Sequence, residues 1–87
     1  MEVSKRIIHI LRSSTMVIKE QRISYERETN EILNEQTTFL HHDSVACRVE
    51  TQKELGYSVL HQSPCCAIMH EIDEDFETII IISKVKD

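Results

Sequence analysis

The stretch Cys65-Cys66-Ala67-Ile68-Met69-His70-Glu71-Ile72, an acidic break, and then Thr78-Ile79-Ile80-Ile81-Ile82-Ser83-Lys84-Val85 decides the fold. It reads as two β-strands joined by a tight polar connection, a C-terminal hairpin that holds the most hydrophobic run of the chain. On its first strand Cys66, Ile68, His70 and Ile72 point one way, and Cys65, Ala67, Met69 and Glu71 the other. On the second, Ile79 and Ile81 oppose Ile80 and Ile82. Both faces are apolar over the same span, which implies a central strand covered on each side or an edge covered by a partner.

The rest of the chain must pack on this hairpin or pair with it. Working back from it, Pro64 closes a unit in which Val45-Ala46-Cys47-Arg48-Val49-Glu50 alternates like a half-buried strand. Residues 51–54 read as a turn, and Gly56-Tyr57-Ser58-Val59-Leu60-His61 returns as the partner strand. A short helix over 51–61 competes with that reading but would enclose Gly, Tyr and Val. Residues 24–40 give the main helix: Tyr25, Ile32 and Phe39 recur every seven residues, Leu33 and Leu40 widen the stripe, and the early acids complement a helix dipole. Before it, Met16-Val17-Ile18 is a short β-prone patch. Residues 3–12 suit either a strand paired with that patch or a helix carrying Val3, Ile7, Ile10 and Leu11. The expected architecture is a single α+β domain over residues 1–87, a small antiparallel β-sheet with one main helix packed on it.

At 87 residues the chain has room for one modest core. One Gly and one Pro leave little turn punctuation, which argues for regular elements rather than a linker-rich chain. No apolar run approaches the ~20 residues that span a bilayer. The apolar patch after Lys5 and Arg6 is too short for a signal-peptide core. An odd cysteine count with a vicinal pair does not suit a disulfide framework, so the expected compartment is the cytoplasm.

Three kinds of chemistry deserve weighing. His61-x3-Cys65-Cys66-x3-His70 has zinc-type ligand atoms, with His41, His42 and Cys47 as further donors. Yet adjacent strand cysteines point to opposite faces, and His70 stands ~13 Å from Cys66 along an extended strand. The five carboxylates of residues 71–77 lack the central Gly and distant Glu of a calcium loop. One Gly cannot build a phosphate-cradling loop, so no enzyme, metal or cofactor is expected. Lys5, Arg6, Arg12, Lys19 and Arg22 form a basic N-terminal patch, but a net charge of −5 disfavours nucleic acid.

What composition makes physically easy is binding a protein. Glu28, Glu31 and Glu35, with Asp73, Glu74 and Asp75, form the candidate surface for a protein partner, as a regulator or inhibitor would use. The Ile strand, through Ile80 and Ile82, is the candidate self-association element of a homodimer. The alternatives are a thiol or zinc protein using Cys65 and Cys66, and a nucleic-acid binder using the basic patch.

Overall fold

A computed structural model describes residues 16–42 and 44–86. Five strands and one helix follow in the order β1 (Met16–Glu26), β2 (Ile32–His42), α1 (Val45–Glu54), β3 (Ser58–Gln62), β4 (Cys66–Ile72) and β5 (Phe76–Lys86). The strands form one sheet in the order β2-β1-β5-β4-β3, and every neighbouring pair is antiparallel. Helix α1 carries the chain from the β2 edge to the β3 edge. Two hairpins then bring β5 back to the middle, where it pairs with β1.

The closing hairpin is present as β4 and β5, and the Ile-rich strand is central, as its two apolar faces imply. One face is covered by α1. There Val45 and Val49 of the helix close over Ile18 of β1, Ala67 and Met69 of β4, and Ile80 and Ile82 of β5, all fully buried. Burying an Ile-sized side chain contributes about 1.5–3 kcal/mol, so this cluster supplies most of what holds helix to sheet.

The helix expected over 24–40 is not there. Those residues are the end of β1, a turn over 27–31 and all but the last two residues of β2. The seven-residue repeat of Tyr25, Ile32 and Phe39 does not mark a buried stripe, because Ile32 and Phe39 remain 56% and 61% exposed. What wins is local turn chemistry plus pairing. Asn30 adopts φ 61°, a left-handed conformation that Asn tolerates. The Asn30 amide donates to Glu26 O at 2.8 Å and the Glu26 amide to Glu31 O at 2.9 Å, reversing the chain into β2.

The single helix of the described residues lies instead over Val45–Glu54, where a strand and turn were expected. Its ends explain it. Ser44 in extended backbone accepts the Cys47 amide on Oγ at 3.0 Å, an N-cap. At the other end the Gly56 amide donates to Lys53 O and the Tyr57 amide to Gln52 O, with Gly56 at φ 104°. Between the caps Val45, Val49 and Gln52 fall on one face at helical spacing and are buried. The strand expected over 56–61 is present as Ser58–Gln62, but it pairs with β4 and not with residues 45–50, which are helical. The strand or helix expected over 3–12 lies outside the described residues.

A buried polar contact fixes where α1 sits. Glu20, 6% exposed on the helix side of β1, accepts from Arg48 Nε at 3.1 Å and Nη2 at 2.9 Å, and from Gln52 Nε2 at 2.7 Å. Two turns of α1 thereby converge on one carboxylate of the sheet. Next along the same face, the Arg22 guanidinium lies 5.7 Å from the centre of the Tyr57 ring.

Candidate docking surfaces

Two turns meet at the end of the sheet away from the ends of β1 and β5 that carry Met16 and Lys86. Residues 27–31 join β1 to β2, and residues 73–75 join β4 to β5. They become neighbours because β1 pairs with β5, bringing Glu26 opposite Phe76. Arg27 then ties them. Its amide donates to Asp75 O at 2.9 Å, and its Nη1 donates to Asp73 O at 3.0 Å and weakly to Glu74 O at 3.5 Å. The guanidinium is thus bonded to carbonyl oxygens, and no ion pair joins it to the surrounding carboxylates.

Around it stand Glu26, Glu28, Glu31, Asp73, Glu74 and Asp75, six acids against one base. Between the turns is a cleft of about 340 Å³ lined by Glu26, Arg27, Glu28, Glu74 and Asp75. Five of the six acids expected to meet a partner, Glu28, Glu31, Asp73, Glu74 and Asp75, are therefore exposed together at this tip. Glu35 is separate, exposed along β2 opposite Ile23. Arg27 is the residue that sequence reasoning missed. Its signal was being the lone base in an otherwise acidic segment.

Just inside the tip, a polar brace crosses three strands on the face away from α1. Tyr25 of β1 donates its hydroxyl to Glu77 Oε1, and His70 of β4 donates Nδ1–H to Glu77 Oε2 at 2.9 Å. These hydrogen bonds, first Tyr25 and then His70, hold the Glu77 carboxyl below the usual carboxylate range. The same bond to Glu77 pushes the Tyr25 phenol up.

The remainder of that face is mixed, with an aliphatic group on the inner strands set among Lys19, Gln21, Glu35, Thr37, His61 and Ser83. Residues opposite one another in an antiparallel ladder share a face. Ile23 and Ile79 therefore stand side by side, as do Ile81 and Ile68, with Phe39 and Lys19 paired one row further on. Ile23, Ile68, Ile79 and Ile81 are half-buried by their own neighbours and Phe39 is exposed. Ile80 and Ile82, expected to contact a second copy, point the other way and lie fully buried beneath α1. In a strand, neighbours in sequence face opposite sides, so the exposed apolar surface belongs to Ile79 and Ile81.

The cysteines and histidines do not converge. Cys47 and Cys65 are exposed, Cys66 is half-buried and all three are free thiols. Among the described residues no three His, Cys, Asp or Glu side chains are grouped to hold one metal ion. Of the basic patch, Lys5, Arg6 and Arg12 lie outside the described residues. Lys19 and Arg22 are three apart on β1 and fall on opposite faces of the sheet. No helix among the described residues is long and apolar enough to cross a membrane. Comparison with protein families, with curated proteins and with solved structures finds no match.

Proposed function

We propose that this chain is a protein-interaction module of the cytoplasm that docks a basic protein partner on its acidic tip and regulates it by occupying the partner's cationic surface. The observation that carries the reading is the bonding of Arg27. Among the described residues it spends the only base at the tip on backbone carbonyls and leaves six carboxylates at the tip, four of which, Glu26, Glu28, Glu74 and Asp75, line one cleft. Carboxylates gathered on a short, braced surface produce a local field that steers a cationic partner and fixes its orientation. The Tyr25–Glu77–His70 brace serves the same end by tying together the three strands from which the tip projects. The three free thiols fit a reducing compartment.

Affinity capture from the native host with the immobilised 87-residue chain tests the proposal. A specific partner is expected that elutes as salt rises toward about 0.5 M, where screening shortens the reach of charge to a few ångströms. The variant Asp73→Lys/Glu74→Lys/Asp75→Lys is expected to lose it. Retention of the same partner by that variant contradicts the assignment of the tip.

A further inference from the structure

The face of the sheet opposite α1 has the chemistry of an interface, and its charges indicate what covers it. Side chains from all five strands form rows running across the strands. The middle row runs Thr37, Gln21, Ile81, Ile68 and His61, with its two isoleucines on the inner strands β5 and β4. The row on one side of it holds Lys19, and the row on the other holds Glu35 and Ile23. One base and one acid thus flank the middle row at equal distance along the strands, on neighbouring strands β1 and β2, where that row holds Gln21 and Thr37.

We propose that this face packs against the same face of a second copy of the chain, related by a two-fold axis that runs along the Ile81–Ile68 row. That axis keeps each strand over its own counterpart and exchanges the two flanking rows. Ile81 then meets Ile81, Ile68 meets Ile68 and Gln21 meets Gln21 across the axis, and each Lys19 lies over the other copy's Ile23 with that copy's Glu35 one strand (~4.8 Å) to the side, twice by symmetry. The alternative two-fold, running along β5, sets Lys19 over Cys66 and Glu35 over Ser58 and pairs no charges. The arrangement is an aligned sheet-on-sheet sandwich with the two inner faces about 10 Å apart.

Size agrees with this. Five strands ~4.8 Å apart and five side-chain rows ~6.7 Å apart bound roughly 19 by 27 Å, of which the short strand β3 fills only two rows. Two copies therefore cover about 800 Å² in flat projection, and side-chain relief raises this toward the lower end of specific interfaces. The proposal is independent of the acidic tip, which lies at the end of the sheet and stays outside the sandwich centre.

Light scattering and sedimentation of the 87-residue chain from 1 to about 100 µM test it, because a dimer doubles the 10.2 kDa mass. A dimer is expected. Lys19→Glu and Glu35→Lys, both substitutions at accessible positions, are each expected to weaken it about tenfold, and the double swap to restore it. Ile81→Lys is expected to give a monomer, with far-ultraviolet dichroism reporting whether the sheet survives. A monomer at 100 µM overturns the proposal and leaves the face to residues 1–15 of the same chain or to another protein. A dimer indifferent to both single charge reversals overturns the axis.

Discussion

Replacing Glu20 with Ala removes the one carboxylate on which α1 converges. The effect follows from what is left behind. Gln52 is fully buried and its Nε2–H has no other acceptor, so it bears the cost of an unsatisfied buried donor, about 1–3 kcal/mol. The Arg48 side chain is 21% exposed, so water reaches part of the guanidinium and the loss falls short of the ~3–5 kcal/mol typical of a fully buried broken pair. Together these give about 3 kcal/mol, which for a domain of this size lowers Tm by roughly 12–24 °C.

The pair is also replaceable. Gln52 Oε1 is already buried without a partner, so the triple variant Glu20→Leu/Arg48→Met/Gln52→Leu removes an orphan acceptor with the charges. It is expected to lie within about 1 kcal/mol of wild type. Denaturant unfolding at one fixed protein concentration measures both variants, since self-association shifts apparent stability. A Glu20→Ala cost below 1 kcal/mol would refute the reasoning that this carboxylate positions the helix.

Three further outcomes follow from the elements around it. Ser44→Ala should cost about 1 kcal/mol in the same unfolding assay, because the Cys47 amide loses its cap. Gly56→Ala should cost about 1–2 kcal/mol through backbone strain at φ 104°, since an added Cβ would meet only Glu71 at an ordinary 3.7 Å. Glu77 titrates lower in the folded chain than its ordinary 4.5, so its stabilisation is complete above that value and is lost as pH falls through the folded value. Tyr25 titrates higher than its ordinary 10.0, so its share is complete below 10.0 and is lost as pH rises beyond it. Unfolding curves across pH should show both limbs in wild type and a shallower acid limb in Glu77→Gln.

The closing hairpin was legible in the sequence because β5 is central and apolar on both faces, and β4 alternates cleanly against it. The acidic turns were legible as charge, although nothing local to residue 27 or residue 75 shows that β1 pairs with β5 and brings them together. The helix was hidden for a physical reason. Its buried stripe is Val45, Val49 and Gln52, and the glutamine counts as polar until Glu20, thirty-two residues away, is seen to accept its amide. Strand β2 was hidden because an edge strand that the helix leaves uncovered has no buried face to impose alternation, so an accidental seven-residue repeat stood out instead. Ile80 and Ile82, the residues expected to self-associate, are taken up by the core instead. Which of two apolar faces α1 covers is decided by tertiary contacts, with Ile80 and Ile82 beneath it and Ile79 and Ile81 left outside.

The central claim, that the acidic tip is a docking site and not merely part of an acidic protein, is tested most directly by removing equal charge in two places. Glu74→Gln/Asp75→Asn neutralises two carboxylates at the tip, and Glu50→Gln/Glu54→Gln neutralises two on the exposed side of α1. Titration calorimetry with a lysine- and arginine-rich peptide at physiological salt then compares them. Binding about tenfold weaker for the tip variant, with the helix variant close to wild type, is the predicted result. Equal losses in the two variants would contradict it, because net charge alone would then account for binding.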